Sequence, residues 1–391
     1  MSEIGVSVYP DLSPIEDIEA YLKLASKYGV TRVFSSMFSV EGTNEEILDY
    51  FRNFIRIAHE NHMEVSLDVN PQFLTKLGVT PEDISLFHDI GCDILRLDMC
   101  YGPEKDYILC NNPYGIKIQL NASMGVAKEL EYLKEKGITR DQLLLGHNFY
   151  PQRYTGLKWK SFLKTNEGLF PYGYPVDAFV ASTAKGTHGV WDAVCGLPTV
   201  ERMRDLPINL QVRELLAVGI ENILIGNAYA SEEEFKAIQY VMSAKPRDIK
   251  DSPVYEMLKG FSLMGEQKPE KILKVVCDKD ITDEERFFLF DVFPQTDWGD
   301  SSEWIWRSRI GRFLNKNHPV PHRIVYQPTF KPGDVVIVND NYKHYAGEIQ
   351  IVREPIINDG TRNRIGHLAP HEEEMFELIK DGDNVRFLEE K

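Results

Sequence analysis

The sequence predicts an α/β protein, a (β/α)8 barrel followed by a smaller, mainly β domain. Eight short β-type runs alternate with helical patterns from residue 1 to about residue 245. A polar stretch with two prolines, KPRDIKDSP, follows them, and β-type runs separated by turn residues dominate beyond it. We therefore expect a barrel over residues 1–245, a linker over 246–264 and a second domain over 265–391.

Each predicted barrel strand is a short run rich in apolar and β-branched residues. In chain order the runs are IGVSVYP (4–10), TRVFSSM (31–37), MEVSLDVN (63–70), DILRLDM (93–99), IKIQLNAS (116–123), LLLGHNFY (143–150), VDAFVAST (176–183) and NILIGNA (222–228). Amphipathic segments such as SPIEDIEAYLKLASKYG separate several of these runs, and Ser231 and Glu234 have the spacing of a capping box that opens a helix. Eight strands alternating with helices are what a (β/α)8 barrel requires.

The second domain is predicted to form a small closed or nearly closed β-barrel. Its β-type runs are KILKVVCD, ERFFLFDVF, HRIVYQPTF, DVVIVND, AGEIQIVRE, NRIGHLA and NVRFLEE, and EEEMFELI reads as a helix. It also carries a basic and aromatic cluster: Arg307, Arg309, Tyr342, Lys343, His344, Tyr345, Arg362 and Arg364. This cluster could form a ligand surface, a lid over the barrel or an oligomer interface. A structural or interaction role is favoured.

Composition indicates which partners and compartments suit the chain. With 60 acidic and 44 basic residues the formal net charge is −16, which disfavours nucleic acid and anionic membrane surfaces. The five cysteines show no CxxC or His-interleaved spacing, so we expect reduced thiols, no metal site and no cofactor. The N-terminal MSEIGVSVYP lacks the features of a secretory signal, and no run approaches the roughly 18 apolar residues of a membrane span. A cytoplasmic protein is expected, with a homo-oligomer left open.

Several predicted barrel strands place polar residues on one face, although barrel strands are normally apolar on both. The opposite faces are apolar and suit the outer helices, so we expect the polar faces to line the barrel mouth. The polar sets are Ser7 and Tyr9, Ser66, Asp68 and Asn70, Arg96 and Asp98, and Gln119 and Asn121. A structural network of Arg96 and Asp98, without a catalytic duty, is the alternative.

Asp68 and Asp98 are the candidate catalytic residues, because each stands near the C-terminal end of its strand and the two strands are neighbours. Paired carboxylates can protonate a leaving oxygen and stabilise an oxocarbenium-like transition state, at separations of about 5 to 9.5 Å in retaining and inverting enzymes. The alternative is that such an Asp has only a structural role, as the ion-pair partner of Arg96.

The stretch LLLGHNFYPQRYTGLKW (143–159) combines a strand end with a loop rich in donors and aromatic rings. Such side chains suit a carbohydrate, and an arginine there can clamp a phosphate or carboxylate. With Tyr9, Asn70, Arg96 and Asn121, the candidate substrate-binding residues are therefore His147, Asn148, Tyr150, Gln152 and Arg153.

The stretch 182–207, which follows the seventh predicted strand, is unusually long for such a connection. Loops after the seventh and eighth strands often hold phosphate in this fold, so besides Arg153 the phosphate candidates are Lys185, Gly186, Thr187, Gly226 and Asn227. Glu201 is a reserve acid, although a first-turn helix carboxylate is the favoured interpretation. No lysine stands at the C-terminal end of a predicted barrel strand, which weakens Schiff-base chemistry.

At these residues the sequence resembles the bacterial 6-phospho-N-acetylmuramidases, long known only as an outer-surface protein family. The resemblance covers nearly the whole chain and rests on the blocks GVSVYP, LRLDMCYG, NNPYGIKIQLNAS, LGHNFYPQRYTGL, GLPTVERMRDLP, LIGNAYASEEE, YAGEIQI and NDGTRNRIG. It implies a (β/α)8 TIM barrel followed by a cyclophilin-like domain. The site residues that the resemblance carries over are Asp68, Asp98, Asn121, His147, Asn148 and Arg153, and all of them except Asp68 lie inside the quoted blocks. Met124 and Asn227 depart from the family pattern, in which we expect a polar residue and an Asp.

The resemblance implies cytosolic hydrolysis of the bond between 6-phospho-N-acetylmuramic acid and N-acetylglucosamine, during cell-wall recycling. One of Asp68 and Asp98 would then be the general acid while the other stabilises positive charge, and attack by the substrate's own acetamido group is an alternative. A cation lowers a neighbouring carboxyl pKa, so the Asp farther from Arg96, which we expect to be Asp68, is the favoured donor. A barrel isomerase or lyase on a phosphosugar, and a non-catalytic sugar-phosphate binding protein, are the readings from other classes.

Overall fold

The computed structural model describes residues 2–37, 40, 42–243, 247–259, 269–324 and 326–390. The chain divides into two compact units, Met1–Ser243 and Ala244–Lys391. The first is the predicted barrel and the second is mainly β. Within the described residues, no helix is long and apolar enough to cross a membrane, and no group of three or more His, Cys, Asp or Glu side chains could hold a metal ion.

Eight parallel strands close into a barrel in chain order, which confirms the predicted (β/α)8 architecture. They are β1 (Glu3–Ser7), β2 (Arg32–Ser36), β3 (Glu64–Val69), β4 (Ile94–Leu97), β5 (Lys117–Asn121), β6 (Leu143–Gly146), β7 (Val176–Val180) and β8 (Asn222–Ile225). The barrel closes where β1 pairs with β8, with Glu3 opposite Asn222.

Helices connect the strands and cover the barrel from outside. They are α1 (Ile15–Lys27), α2 (Asn44–Glu60), α3 (Pro71–Leu77), α4 (Ser85–Ile90), α5 (Pro103–Cys110), α6 (Ala127–Glu135), α7 (Trp159–Leu169), α8 (Ile208–Ala217) and α9 (Glu232–Met242). Short 3-10 turns lie at Phe170–Tyr172, Val190–Asp192 and Glu201–Met203. The predicted capping box is present at α9, because the Ser231 hydroxyl accepts from Glu234 N and the Glu234 carboxylate accepts from Ser231 N.

The alternation along β3 shows how the strands divide their side chains. Val65, Leu67 and Val69 are fully buried in the main hydrophobic core, shared with residues of the helices. Asp68 is also buried but belongs to the opposite face of the strand. The period-two prediction of an apolar face towards the helices and a polar face inside the barrel is therefore confirmed for this strand.

The barrel interior also holds a polar layer near the starts of the strands. Asp177 accepts hydrogen bonds from Arg32 (3.0 Å), Gln119 (2.5 Å) and Asn222 (2.7 Å), and burial raises its pKa. A Cβ at Gly146 would lie 2.7 Å from the Gln119 amide, so a glycine is required there. Gln119 thus belongs to a structural network, and the expectation that it lines the mouth is wrong.

The second unit is built on a seven-stranded sheet in the order β10-β17-β9-β16-β13-β14-β11, beside a two-stranded sheet of β12 and β15. The strands are β9 (Glu270–Cys277), β10 (Gln295–Thr296), β11 (Ile305–Ser308), β12 (Thr329–Phe330), β13 (Asp334–Val338), β14 (Ile349–Val352), β15 (Ile356–Ile357), β16 (Arg362–Leu368) and β17 (Asn384–Glu389), and the helices are α10 (Tyr255–Leu258), α11 (Asp283–Arg286) and α12 (Glu372–Phe376). The two edge strands approach each other, since Thr296 N donates to the Ser308 hydroxyl at 3.2 Å.

Two predicted strands of the second unit are wrong in part or whole. ERFFLFDVF is helical, comprising the end of α11 and a π-helical turn at Phe287–Asp291. A capping box of Thr282 and Glu285 starts this helix, and local capping decides the structure of an apolar run that suits either element. Only Thr329–Phe330 of HRIVYQPTF is a strand, and Val325 lies outside the described residues. The predicted linker contains a 3-10 turn and α10, while residues 246 and 260–264 also lie outside the description.

The basic and aromatic cluster of this unit is extensively paired. Arg307 and Arg309 share the carboxylate of Asp300 at 2.6 and 2.7 Å. Arg362 donates to the Gln350 amide at 2.8 Å, and Arg364 Nε donates to Asp334 at 2.8 Å. These pairings support the structural interpretation that the sequence favoured.

Candidate active site

The centre of the site is an ion pair between Asp68 and Arg96. The register of β3 and β4 places the two residues opposite each other, and Arg96 Nη1 donates to Asp68 Oδ1. Both residues are buried, at 6% and 4% exposure. A buried guanidinium and a buried carboxylate are each costly alone, and the contact satisfies one with the other. The pair lies near the C-terminal ends of the strands, where this fold places its chemistry.

The proton affinity of Asp68 reflects opposing influences. Burial raises its pKa, the Arg96 charge and hydrogen bond lower it, and the charge of Asp98 raises it. The net direction is upward, because burial disfavours the ionised form most. The expectation that Asp68 lies farther from Arg96 than Asp98 does is wrong, since Arg96 binds Asp68 directly. A raised pKa nonetheless arises at Asp68 through burial.

Asp98 directly follows β4 and is half-buried. Its backbone is fixed on both sides: Asp98 N donates to Val69 O at 3.0 Å, and Asp98 O accepts from Asn121 Nδ2 at 3.1 Å. Asn121 is itself almost fully buried, and its Oδ1 accepts from Ser123 N. Asn121 therefore supports the backbone under Asp98, whose side chain is partly exposed.

Asn148 and His147 follow β6 and point to different partners. Asn148 Oδ1 accepts from Arg96 Nη2, so Arg96 bridges Asn148 and Asp68. His147 is fully buried, with one ring nitrogen 3.2 Å from the Ser123 hydroxyl and the other 3.1 Å from the Asn166 amide oxygen. Burial lowers the His147 pKa to about 4, so the ring is neutral at pH 7. With both ring nitrogens beside protein groups, His147 supports the site and does not face it.

Two further residues assigned to substrate from the sequence have structural partners. Tyr9 is fully buried, and its hydroxyl donates to the carbonyl of Gly226. Asn70 is the N-cap of α3, and its Oδ1 accepts from Phe73 N at 2.8 Å. Both contacts fix the loops that leave the barrel.

The loop after β6 carries Tyr150 and Arg153, which are both half-buried. Arg153 forms a two-pronged ion pair with Asp205, at 2.5 and 3.1 Å, and this hydrogen bonding raises its pKa. Asp205 is 71% exposed at its side chain. A second anion can therefore reach the Arg153 guanidinium by displacing a solvated partner. Gln152 is exposed and accepts from Arg204 through its carbonyl at 3.2 Å.

Glu201 and Arg204 join the loops after β6 and β7. The Glu201 carboxylate accepts from Tyr154 N (2.7 Å), Gly156 N (2.8 Å) and Arg204, and although burial opposes it, this hydrogen bonding lowers the Glu201 pKa to about 2. Both carboxylate oxygens of Glu201 are held by protein groups, which supports the structural interpretation that the sequence favoured over a reserve acid. Arg204 also donates to the Cys195 and Gly196 carbonyls.

The phosphate candidates after β7 and β8 divide into two sets. Lys185 and Gly186 are exposed in a turn, Gly186 has φ +83°, and the Thr187 hydroxyl donates to Ala184 O at 3.1 Å. Gly226 and Asn227 are committed to structure. Gly226 N donates to Val180 O at 2.8 Å, and the Asn227 amide makes two hydrogen bonds with the backbone of Ser182, at 2.8 and 2.9 Å. Of the candidates after β7 and β8, only those of the exposed turn, Lys185, Gly186 and Thr187, remain available to an anion.

Several residues that support the site, or stand on the loops after β6 and β7, are not singled out by the sequence. Ser123 and Asn166 bind His147 from elements far apart in the chain, which only the fold brings together. Tyr154 and Trp191 stand on the loops after β6 and β7 with 84% and 63% exposure, and both adopt positive φ, 71° and 56°. Bulky residues rarely adopt this conformation, so two exposed aromatic rings are held there at a backbone cost.

Comparison with known proteins places the chain in a family. Two family models match it: 6-phospho-N-acetylmuramidase, N-terminal, over residues 4–240, and 6-phospho-N-acetylmuramidase, C-terminal, over residues 272–388. The crystal structure of an uncharacterized B. cereus protein is 30% identical, with 99% of each chain covered and a TM-score of 0.81. A conserved Enterococcus faecalis protein with an unknown function is 21% identical, with 100% of this chain and 97% of that chain covered and a TM-score of 0.66, which shows a shared fold.

No protein with a curated description matches this sequence. The two family models nevertheless cover both units and nearly the whole chain. The resemblance stated from the sequence is therefore confirmed, and the chain belongs to the 6-phospho-N-acetylmuramidase family, a family of glycosidases.

Proposed function

We propose that this glycosidase cleaves the β-1,4 bond between 6-phospho-N-acetylmuramic acid and N-acetylglucosamine, in the cytoplasm, during recycling of cell-wall peptidoglycan. The observation that carries the proposal is the buried Asp68–Arg96 pair with Asp98 beside it, at the C-terminal ends of neighbouring strands. Family membership supports the substrate class, and the two carboxylates supply the groups that glycoside hydrolysis needs.

Asp68 is the proton donor in this mechanism. Arg96 holds its Oδ1, which leaves Oδ2 to carry the proton, and burial raises its pKa so that the protonated form persists to higher pH. Protonation of the bridging oxygen breaks its bond to C1 and releases N-acetylglucosamine; water then adds at C1, and its proton passes to Asp68 and restores the acid. Asp98, which is half-buried on a fixed backbone, stabilises the positive charge that develops at C1 of the muramic acid.

Arg153 binds the 6-phosphate. Its guanidinium already holds a planar carboxylate through two hydrogen bonds, and a phosphate dianion offers the same geometry with more charge. The exposed turn of Lys185, Gly186 and Thr187 supplies a second cation. This local positive charge opposes the net charge of −16, which otherwise repels the substrate.

Tyr150, Tyr154 and Trp191 provide aromatic faces for the sugar rings. Tyr154 and Trp191 are largely exposed, and Val190, the neighbour of Trp191, is buried in a cluster with Tyr9 and Phe149 where the loops leave the barrel. Aromatic rings with open faces suit the apolar face of a pyranose. We propose that these rings hold the N-acetylglucosamine half of the substrate.

The test is a product assay on the synthetic disaccharide, N-acetylmuramic acid 6-phosphate linked β-1,4 to N-acetylglucosamine. Purified protein is incubated with it, with and without EDTA, and the products are separated by mass. We expect equimolar monosaccharides from the native protein, and a loss of at least about 10³-fold in kcat for Asp68→Asn and for Asp98→Asn. Binding of the disaccharide should persist in both variants.

Asp141→Asn is the matched control, because Asp141 is an exposed carboxylate just before β6, at the opposite end of the barrel. It should keep full activity. An intact disaccharide alongside measurable binding would refute hydrolysis. A single rearranged product without release of the second sugar would instead identify an isomerase or lyase.

A further inference from the structure

We propose that Asn166, His147 and Ser123 form a positioning chain that sets the orientation of Arg96 and, through it, of Asp68. None of the three needs to touch the substrate. The inference rests on the proposed function, since it concerns the carboxyl group to which that function assigns the proton. It adds two residues that follow β5 and β6, and one on α7, to a site whose chemistry lies on β3, on β4 and just after β4.

The chain begins on α7, at Asn166. Asn166 Nδ2 donates to Phe162 O at 3.0 Å, which turns Oδ1 towards His147 Nε2 at 3.1 Å. An amide oxygen can only accept, so His147 Nε2 carries the ring proton and Nδ1 is an acceptor. Asn166 is almost fully buried, and the His147 ring also packs on Phe162, with ring centroids 4.8 Å apart. The tautomer and the plane of His147 are thereby fixed.

Ser123 passes this orientation to the backbone of Asn148. The Ser123 hydroxyl lies 3.2 Å from His147 Nδ1 and accepts from Asn148 N at 3.1 Å. Since Nδ1 is an acceptor, the hydroxyl proton points to His147 and an oxygen lone pair faces Asn148 N. Every donor and acceptor in this segment has one consistent role.

The backbone of Asn148 is held from its other side as well. Asn148 O accepts from the Thr199 hydroxyl at 2.9 Å, and Thr199 is fully buried. With both backbone groups bound, the Asn148 side chain has a defined starting point, and its Oδ1 accepts from Arg96 Nη2. The hydrogen-bonded chain therefore runs unbroken from α7 to the ion pair.

The orientation of the Arg96 guanidinium depends on its contacts to Asp68 and Asn148, because Nε makes no such contact. Arg96 Nε is buried without a hydrogen-bond partner among the described residues. Two contacts, Nη1 to Asp68 and Nη2 to Asn148, thus set the plane of the guanidinium. If the contact to Asn148 loosens, the Arg96 guanidinium can rotate about its contact to Asp68. The orientation of the Asp68 carboxyl group is then no longer fixed. Small displacements of this kind cost catalysis heavily.

The first test compares Ser123→Ala with Ser123→Thr, which keeps the hydroxyl. We expect kcat to fall about tenfold in Ser123→Ala, with KM nearly unchanged and Ser123→Thr close to the native protein. We also expect the upper pH limit of kcat/KM to move to higher pH in Ser123→Ala, because a loosened Arg96 lowers the Asp68 pKa less. A purely structural role for Ser123 would lower Tm and leave the pH profile in place.

The second test repeats Ser123→Ala in an Asn148→Ala background. If Ser123 acts through the Asn148 side chain, the added substitution should change kcat less than about twofold there. Additive losses would overturn the proposal.

A readout without substrate separates this inference from the proposed function. In 15N-labelled native protein we expect His147 neutral with its proton on Nε2 from pH 6 to 8, and slowly exchanging Arg96 Nη protons that are lost in Ser123→Ala and retained in Ser123→Thr. This pattern in a protein that does not cleave the disaccharide would refute the function alone. Unchanged Arg96 signals in Ser123→Ala would overturn the positioning chain, whatever the activity.

Discussion

Asp68 and Arg96 occupy opposite positions in the parallel register of β3 and β4 and form an ion pair that is almost completely buried. The pair has two consequences. It provides a buried carboxyl group with one oxygen held and a raised pKa, which suits proton donation. Replacing either residue alone should also lower the free energy of unfolding, because the other residue is left as a buried charge without its ion-pair partner.

We expect Arg96→Gln to lower the free energy of unfolding by about 3 kcal/mol at pH 8, as breaking a buried pair does. The cost should shrink at pH 5.5. Without Arg96 the Asp68 pKa rises further, so the carboxyl group takes up a proton as the pH falls and the unpaired charge disappears.

Urea unfolding of Arg96→Gln, Asp68→Asn and the double variant, at both pH values, measures this coupling. The double variant should lose at least about 1 kcal/mol less than the sum of the single losses. Strict additivity at pH 8 would show that the two side chains do not stabilise each other.

Arg153→Ala should raise KM for the disaccharide phosphate at least about tenfold with little change in kcat, because phosphate binding contributes equally before and during the reaction. Asp205→Asn should lower KM a few-fold, since it removes the carboxylate that competes for the guanidinium. Steady-state kinetics on both variants, with Lys185→Ala as a comparison, tests the assignment. If Arg153→Ala leaves KM unchanged, the phosphate lies elsewhere.

The barrel could be predicted from the sequence because its evidence is local. Strand length, alternation and the helix between each pair of strands are all written in neighbouring residues. The Asn70 cap could also have been found, since Asn followed by Pro71 is a common helix start. The capping box of Thr282 and Glu285 would likewise have changed the assignment of ERFFLFDVF.

Depth inside the barrel could not be predicted in the same way. Gln119 and Asn121 share a face of β5, yet Gln119 binds Asp177 near the strand starts and Asn121 supports Asp98 at the mouth. The choice between Asp68 and Asp98 as the partner of Arg96 depends on the register between two strands, which alternation within one strand does not contain.

The links between loops were equally invisible in the sequence, and Arg204 shows their importance. Its buried guanidinium donates to Glu201 and to carbonyls of Tyr150, Gln152, Cys195 and Gly196. A lysine offers a point charge in place of a planar fork with five donors, so it cannot serve all of these acceptors.

We therefore expect Arg204→Lys to lose about 3 kcal/mol of unfolding free energy and to open residues 150–157 to limited proteolysis. Arg140→Lys is the control, because its pair with Glu221 is exposed and should matter by less than about 0.5 kcal/mol. Equal effects of the two substitutions would contradict a special role for Arg204.

Removing the charge of Asp106 should make the protein more stable. It lies on α5, fully buried, where Oδ1 accepts from Tyr101 N at 3.0 Å and Oδ2 is buried without a partner among the described residues. Burial raises its pKa from 3.8 to about 6. Between these values the folded protein holds a proton that the unfolded chain has released, so stability falls as the pH rises from about 4 to about 6.

Above pH 6 the full cost of the buried charge is present, roughly 3 kcal/mol for a shift of about two pH units. Asp106→Asn keeps an acceptor for Tyr101 N and should gain up to that amount at pH 8 but little at pH 4. Asp83→Asn is the control of opposite sign, because hydrogen bonds to Ser85 lower the Asp83 pKa and its charge is favourable. A gain for Asp106→Asn that is the same at pH 4 and pH 8 would show that ionisation of Asp106 does not limit stability.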